Sequence, residues 1–111
     1  MVTNYQRGYS FERLVGGDLA KNGYWIIYAR GSKGKVDVVG IKRGEVVMVQ
    51  AKRNGHCSPA ERAALLLLAR HTGSVAVVAS KPLRGVSYRE LMGPGPREHR
   101  PWTPDRLGSI A

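Results

Sequence analysis

Between Gly31 and Lys52 the chain reads GSKGKVDVVGIKRGEVVMVQAK, and three of its side chains, Asp37, Gln50 and Lys52, form a set that can do chemistry. Side chains alternate along a strand. Asp37, Val39 and Ile41 therefore share one face of a first strand, and Val46, Met48, Gln50 and Lys52 share one face of a second. Arg43-Gly44 is a two-residue turn signal, and folding there sets Asp37 beside Gln50 and Lys52. A carboxylate, an amide oxygen and an ammonium then meet at one edge of a sheet. Hard oxygen donors suit Mg²⁺, with Mn²⁺ as the second candidate. The Ala51 carbonyl adds a backbone oxygen to that ligand set. Lys52 beside it can orient a metal-bound water, help deprotonate it, or balance charge on a phosphate. Asp is disfavoured inside strands, which favours a functional Asp37 over a solvated one. Gln50 and Lys52 each also read as ordinary polar residues at a strand end; their i, i+2 spacing favours the site.

The flanking elements must position this hairpin. Residues 4–22 read as a helix, with Phe11, Leu14, Val15 and Leu19 as its core stripe and Glu12 at the border, facing the sheet edge or solvent. Three glycines, at 8, 16 and 17, each weaken it by about 1 kcal/mol relative to Ala, so tertiary packing must hold it. Tyr24–Ala29 is a strand, Arg30–Lys35 a basic loop and Arg53–Cys57 a connector. Ser58-Pro59-Ala60-Glu61 opens a second helix with a capping box, and Gly73 ends it. Ser74–Ser80 is a buried strand, parallel to the one ending at Lys52 through a right-handed crossover. Val86–Tyr88 is a short edge strand. The expected class is α/β, a mixed central sheet flanked by helices in the order α-β-β-β-α-β. Residues 1–92 form one domain, and 93–111, with four of the six prolines, form a basic tail that is loop or partly disordered.

Eighteen Lys and Arg against eight acids give a net charge of +10, which calls for a polyanion, nucleic acid ahead of membrane. Arg7, Arg30, Lys33, Lys35 and Arg53 are the candidate phosphate contacts. No stretch is apolar for long enough to span a bilayer, since the Ala63–Ala69 run is too short. The N-terminus lacks the apolar core of a signal peptide, and the single Cys57 precludes an internal disulfide. A cytoplasmic location follows (host cytoplasm, for a viral chain). His56-Cys57 has no second pair at ligand spacing, so no structural zinc is expected. The Leu65–Leu68 run is apolar on more sides than one core needs, which suggests a dimer interface, with a fully buried helix as the competing reading. Trp102 is read as a base-stacking or partner-docking residue.

Glu12 in a first helix, Gly31-Ser32-Lys33 before Val36-Asp37, and Gln50-Ala51-Lys52 together resemble the archaeal-type Holliday junction resolvases (Hjc-like), members of the PD-(D/E)xK nuclease superfamily. The likeness covers roughly residues 7–80. It implies a restriction-endonuclease-like core and a homodimer that nicks four-way junction DNA symmetrically with Mg²⁺ and no small-molecule cofactor. By motif position Glu12 and Asp37 match family acids, Ser32 the loop serine and Lys52 the catalytic lysine, while Gln50 occupies the position of a glutamate. Gln50 thus removes one negative charge from the metal site. Where the family often has an arginine late in the first strand, this chain has Tyr28, with Arg30 two residues on.

The expected function is a metal-dependent, structure-selective endonuclease that resolves four-way junctions by paired nicks. Two other readings stand beside it: another PD-(D/E)xK-type nuclease acting on branched or duplex DNA, and a junction-binding module without cleavage, motivated by Gln50.

Overall fold

The structure, a computed structural model, describes residues 4–29 and 35–104, with side chains from residue 9 onward. Helix α1 (Asn4–Lys21) is followed by β1 (Trp25–Tyr28), β2 (Val38–Lys42), β3 (Glu45–Ala51), α2 (Pro59–Thr72), β4 (Val75–Ser80), β5 (Ser87–Leu91) and β6 (His99–Trp102). The six strands form one sheet in chain order. β3 and β4 run parallel, joined by α2, and every other neighbouring pair is antiparallel. This is the expected mixed α/β architecture, extended by one strand, β6, beyond the expected edge strand.

Alternation along the strands divides the core into two layers. On one face Phe11, Val15 and Leu19 of α1 pack with Val38, Val47, Val49, Val77 and Ala79. On the other, Leu65, Leu66 and Ala69 of α2 pack with Met48, Ala76, Val78 and Leu91. Leu14, expected in the α1 stripe, is 42% exposed. Residues 11, 15 and 19 recur every four positions and make a narrow stripe, and at 100° per residue Leu14 falls well to one side of it. Gly16 falls to the other side, where a β-carbon would collide with the Tyr28 ring and hydroxyl. The helix accepts a poor helix former there because Tyr28 lies against its backbone.

The apolar surplus of α2 is mostly absorbed: Leu65 and Leu66 are buried, Leu68 is half-buried, and Leu67 is 61% exposed. The uncovered apolar surface lies elsewhere. Because α2 covers β3 and β4, Trp25 and Ile27 of β1, on the same sheet face, remain 70% and 43% exposed. No helix among the described residues is long and apolar enough to cross a membrane.

The region read as a Pro-rich tail departs most from expectation. Residues 99–102 form β6, paired antiparallel with β5, so β5 is an interior strand and not the edge. Pro101 is tolerated because an edge strand can spare an N–H. Trp102 is 3% exposed and stacks edge-on to Tyr88 (centroids 5.4 Å apart), with Tyr24 at 6.3 Å. It is a core residue, not a surface platform. Residues 105–111 of the expected tail lie outside the described residues. Trp102→Ala is expected to cost about 3–5 kcal/mol of stability, read from the urea midpoint at unchanged slope. A shift near zero would return this segment to loop.

Candidate active site

The site is built at the carboxyl end of β3. The turn between β2 and β3 places Gly44 at φ 73°, a conformation that side chains other than Gly, Asn and Asp rarely adopt, and it sets the register Val39↔Met48 and Val38↔Val49. One step beyond Val38, the Asp37 N–H donates to the Val49 carbonyl (2.8 Å), which continues the ladder. The Asp37 carboxylate Oδ2 then accepts the Ala51 N–H at 2.8 Å. A second constraint comes from β1, where the Ala29 N–H donates to the Asp37 carbonyl at 3.0 Å.

Gln50 is 2% exposed, the one buried polar side chain among the described residues, and its backbone registers with Val78 of β4. Burying an amide costs free energy that an apolar residue would avoid, so its presence at the end of the central strand calls for a use. Lys52 follows, its N–H bonded to the Ala79 carbonyl (2.8 Å) and its ammonium paired with Glu61 on the first turn of α2. Glu12, half-buried on α1, hydrogen-bonds the Asp37 side chain from the opposite layer. Two carboxyl groups in contact repel unless a proton or a cation lies between them. That pair, with the Gln50 amide and the Ala51 carbonyl nearby, is an all-oxygen donor set of the kind Mg²⁺ and Mn²⁺ take. Among the described residues no three His, Cys, Asp or Glu side chains cluster closely enough to hold a metal by themselves, so water and substrate oxygens would complete the coordination.

Burial pushes the Asp37 carboxyl above its ordinary value; the Ala51 N–H, the Lys52 charge and the Glu12 hydrogen bond oppose the rise, and the Glu61 charge adds to it. Burial also acts to raise the Glu61 carboxyl, but hydrogen bonds from Lys52 and from Ser58 outweigh it and hold the group low.

Glu12, Asp37, Gln50, Ala51 and Lys52 are thus gathered at one place. Lys35 and Arg53 are exposed at the ends of the segments flanking Asp37 and Lys52. Arg30, Ser32 and Lys33, and the side chain of Arg7, lie outside the described residues. Two residues of the neighbourhood went unread in the sequence. Glu61 was visible only as a helix cap. Arg13 follows Glu12 and lies 4.2 Å from the Tyr28 ring centroid, donating to the Tyr9 hydroxyl at 2.7 and 3.0 Å. A guanidinium is therefore present beside Tyr28, brought by the helix and not by the strand.

The raised Asp37 has a measurable consequence. An acid that is harder to ionise in the fold keeps its proton to higher pH when folded, so stability falls as pH rises through the window just above the ordinary carboxylate range. Asp37→Asn in EDTA should melt above the unsubstituted protein at pH 7, with the gap closing as pH drops below that window. A melt below the unsubstituted protein at pH 7 would contradict this account.

The family model described as archaeal Holliday junction resolvase (Hjc) matches residues 3–92, a span that holds α1 through β5 and all the residues gathered above. Among solved structures, Hjc from Archaeoglobus fulgidus, a Holliday junction resolvase from an archaeal hyperthermophile, superimposes with a TM-score of 0.67 at 26% identity, over 74% of this chain and 70% of that one. No curated protein matches the chain significantly. With its sheet order, the gathering of acids and lysine at the end of β3, and a family match over most of its length, the chain belongs to the archaeal Holliday junction resolvase (Hjc) family.

Proposed function

We propose that this resolvase cuts four-way DNA junctions as a homodimer, by metal-dependent hydrolysis of one phosphodiester in each of two opposed strands. The observation that carries the reading is the meeting of Glu12, Asp37 and Lys52 around the end of β3 in a chain of net charge +10. Asp37 is the central metal ligand, with Glu12, the Gln50 amide oxygen and the Ala51 carbonyl as its neighbours; Mg²⁺ is the first candidate and Mn²⁺ the second. When bound, the metal makes its water more acidic and balances charge on the phosphate. Asp37 is held for this by the Ala51 N–H, which occupies Oδ2 and leaves Oδ1 free of that bond. Lys52 presents an ammonium to the phosphate, where it offsets the charge that grows as water bonds to phosphorus and the ester oxygen departs with a proton. Ser32 is assigned to a phosphate oxygen, and Arg7, Arg30, Lys33, Lys35 and Arg53 to the DNA backbone. Such a DNA-processing enzyme acts inside the cell, in the cytoplasm.

Dimerisation would cover the apolar face left open at Trp25 and Ile27 and put two sites on one junction, which the paired nicks require. Trp25→Glu should halve the mass in sedimentation and turn paired nicks into single, uncoupled ones. A Trp25→Glu protein that sediments as the unsubstituted one does would remove this face from the interface.

Cleavage of a labelled four-way junction, beside matched duplex and flap DNA, with Mg²⁺, Mn²⁺ or EDTA, tests the reading directly. Paired symmetric nicks on the junction alone, absent in EDTA, are expected. Lys52→Ala and Asp37→Ala should each lower the rate by about 10²–10⁴-fold while junction binding persists. Log affinity should fall with log salt by about 0.9 per phosphate neutralised, and Lys35→Ala or Arg53→Ala should each reduce that slope by about 1. Cutting of every substrate would make the chain a general nuclease. Tight junction binding without nicks would favour the binding-module reading that Gln50 motivates.

A further inference from the structure

We propose that Glu61 is a positioning residue of the cleavage site, its single carboxylate fixing the first turn of α2 with one oxygen and the Lys52 ammonium with the other. The proposal rests on the resolvase reading above and assigns a further residue to the same site.

Glu61 Oε1 accepts the Ser58 N–H at 2.9 Å, and the Glu61 N–H returns the bond to the Ser58 hydroxyl at 3.2 Å, a closed capping box with Pro59 at the helix start. Glu61 Oε2 accepts from Lys52 Nζ. Capping boxes require only the first pair of contacts, so the second is additional. It reaches a residue nine positions earlier, on a different element. The connector between them is pinned at several points: the Gly55 N–H donates to the Lys52 carbonyl (2.7 Å), Arg89 to the Gly55 carbonyl (2.7 Å), and Arg62 to the Cys57 carbonyl (2.6 Å). The cap and the backbone of Lys52 therefore form one rigid frame.

Lysine has four rotatable bonds, and its ammonium is a compact point charge that no shape of its own orients. The side chains of Lys52 and Glu61 are 28% and 30% exposed, so neither is locked by packing. Asp37 lies within electrostatic reach of Lys52 and is the competing anchor. An ammonium that settled on Asp37 would contend with the metal for the same carboxylate. By holding Lys52 from the α2 side, Glu61 leaves Asp37 to the metal and keeps the ammonium at the rim, where the phosphate arrives.

Glu61→Gln preserves the cap, since Gln serves at this position of a capping box, and removes the charge that faces Lys52. Its melting temperature should fall slightly, because the ion pair to Lys52 is lost while the cap is kept, whereas Glu61→Ala, which loses both roles, should melt lower still. Single-turnover junction cleavage by Glu61→Gln should fall about 10–100-fold, the usual loss when a group that orients a metal-site residue is removed. Junction affinity should stay within about twofold, and the Mg²⁺ needed for half-maximal rate should rise. In the Lys52→Ala background Glu61→Gln should change nothing further, because a residue acting through Lys52 has no effect once Lys52 is gone. Independently of activity, a ¹H–¹⁵N spectrum of the metal-free protein should show a Lys52 ammonium signal sheltered from exchange, lost in Glu61→Gln. Equal cleavage by Glu61→Gln and the unsubstituted protein, an equal drop in both backgrounds, or no sheltered ammonium would overturn the proposal. Full activity of Lys52→Ala would instead overturn the reading of the site, and the ammonium signal would still decide the role of Glu61.

Discussion

Register between β2 and β3 is the constraint on which the site depends. Asp37 reaches the Ala51 N–H only because Val38 stands opposite Val49. A slip of one residue would turn every side chain of β2 to the other face, carrying Asp37 into the apolar layer beneath α1. That slip is blocked twice. The tight turn at Gly44 sets the count of residues, and Val38, 0% exposed, fills the layer that a slipped strand would vacate. Parallel pairing of β3 with β4 then brings α2 back across the sheet, and the short connector brings its first turn to the end of β3.

Acids are scarce in this chain, and each one in the described part has an identifiable partner or place. Asp18 accepts from the buried Tyr88 hydroxyl at 2.7 Å, and Glu45 from Tyr24 at 3.0 Å. Glu90 pairs with Arg100, and Glu98 holds the turn at Gly95. Those four tie the fold together. The other three, Glu12, Asp37 and Glu61, stand around the end of β3, where they interact with one another or with Lys52. Against a background of net charge +10, this is a local reversal of sign, acids set close together on a chain that is otherwise basic. The Tyr88 hydroxyl, pushed well above its ordinary range by burial and by its bond to Asp18, stays protonated and remains a donor at any ordinary pH.

The hairpin was legible because two independent local signals agreed, side-chain alternation on both strands and a turn residue that tolerates positive φ. The parallel crossover was legible because the capping box and Gly73 marked both ends of α2. What escaped had distant causes. Trp102 looks like a surface residue among prolines and arginines, and only Tyr24, just before β1, and Tyr88 of β5 make it core. Glu61 satisfied a local rule so well that nothing in its neighbourhood hinted at a second partner. Leu14 was misassigned because a three-four spacing rule admits a wider stripe than α1 uses. Arg13 gave no sign of its place, since its contact with Tyr28 depends on how closely the helix approaches the sheet.

That approach has a consequence of its own. Gly16 stands one turn beyond Glu12 on α1, and the Tyr28 ring fills the room its missing side chain leaves. The absence of a single methyl group therefore sets the gap between helix and strand. Helix α1 works as a spacer whose thickness is tuned at one residue.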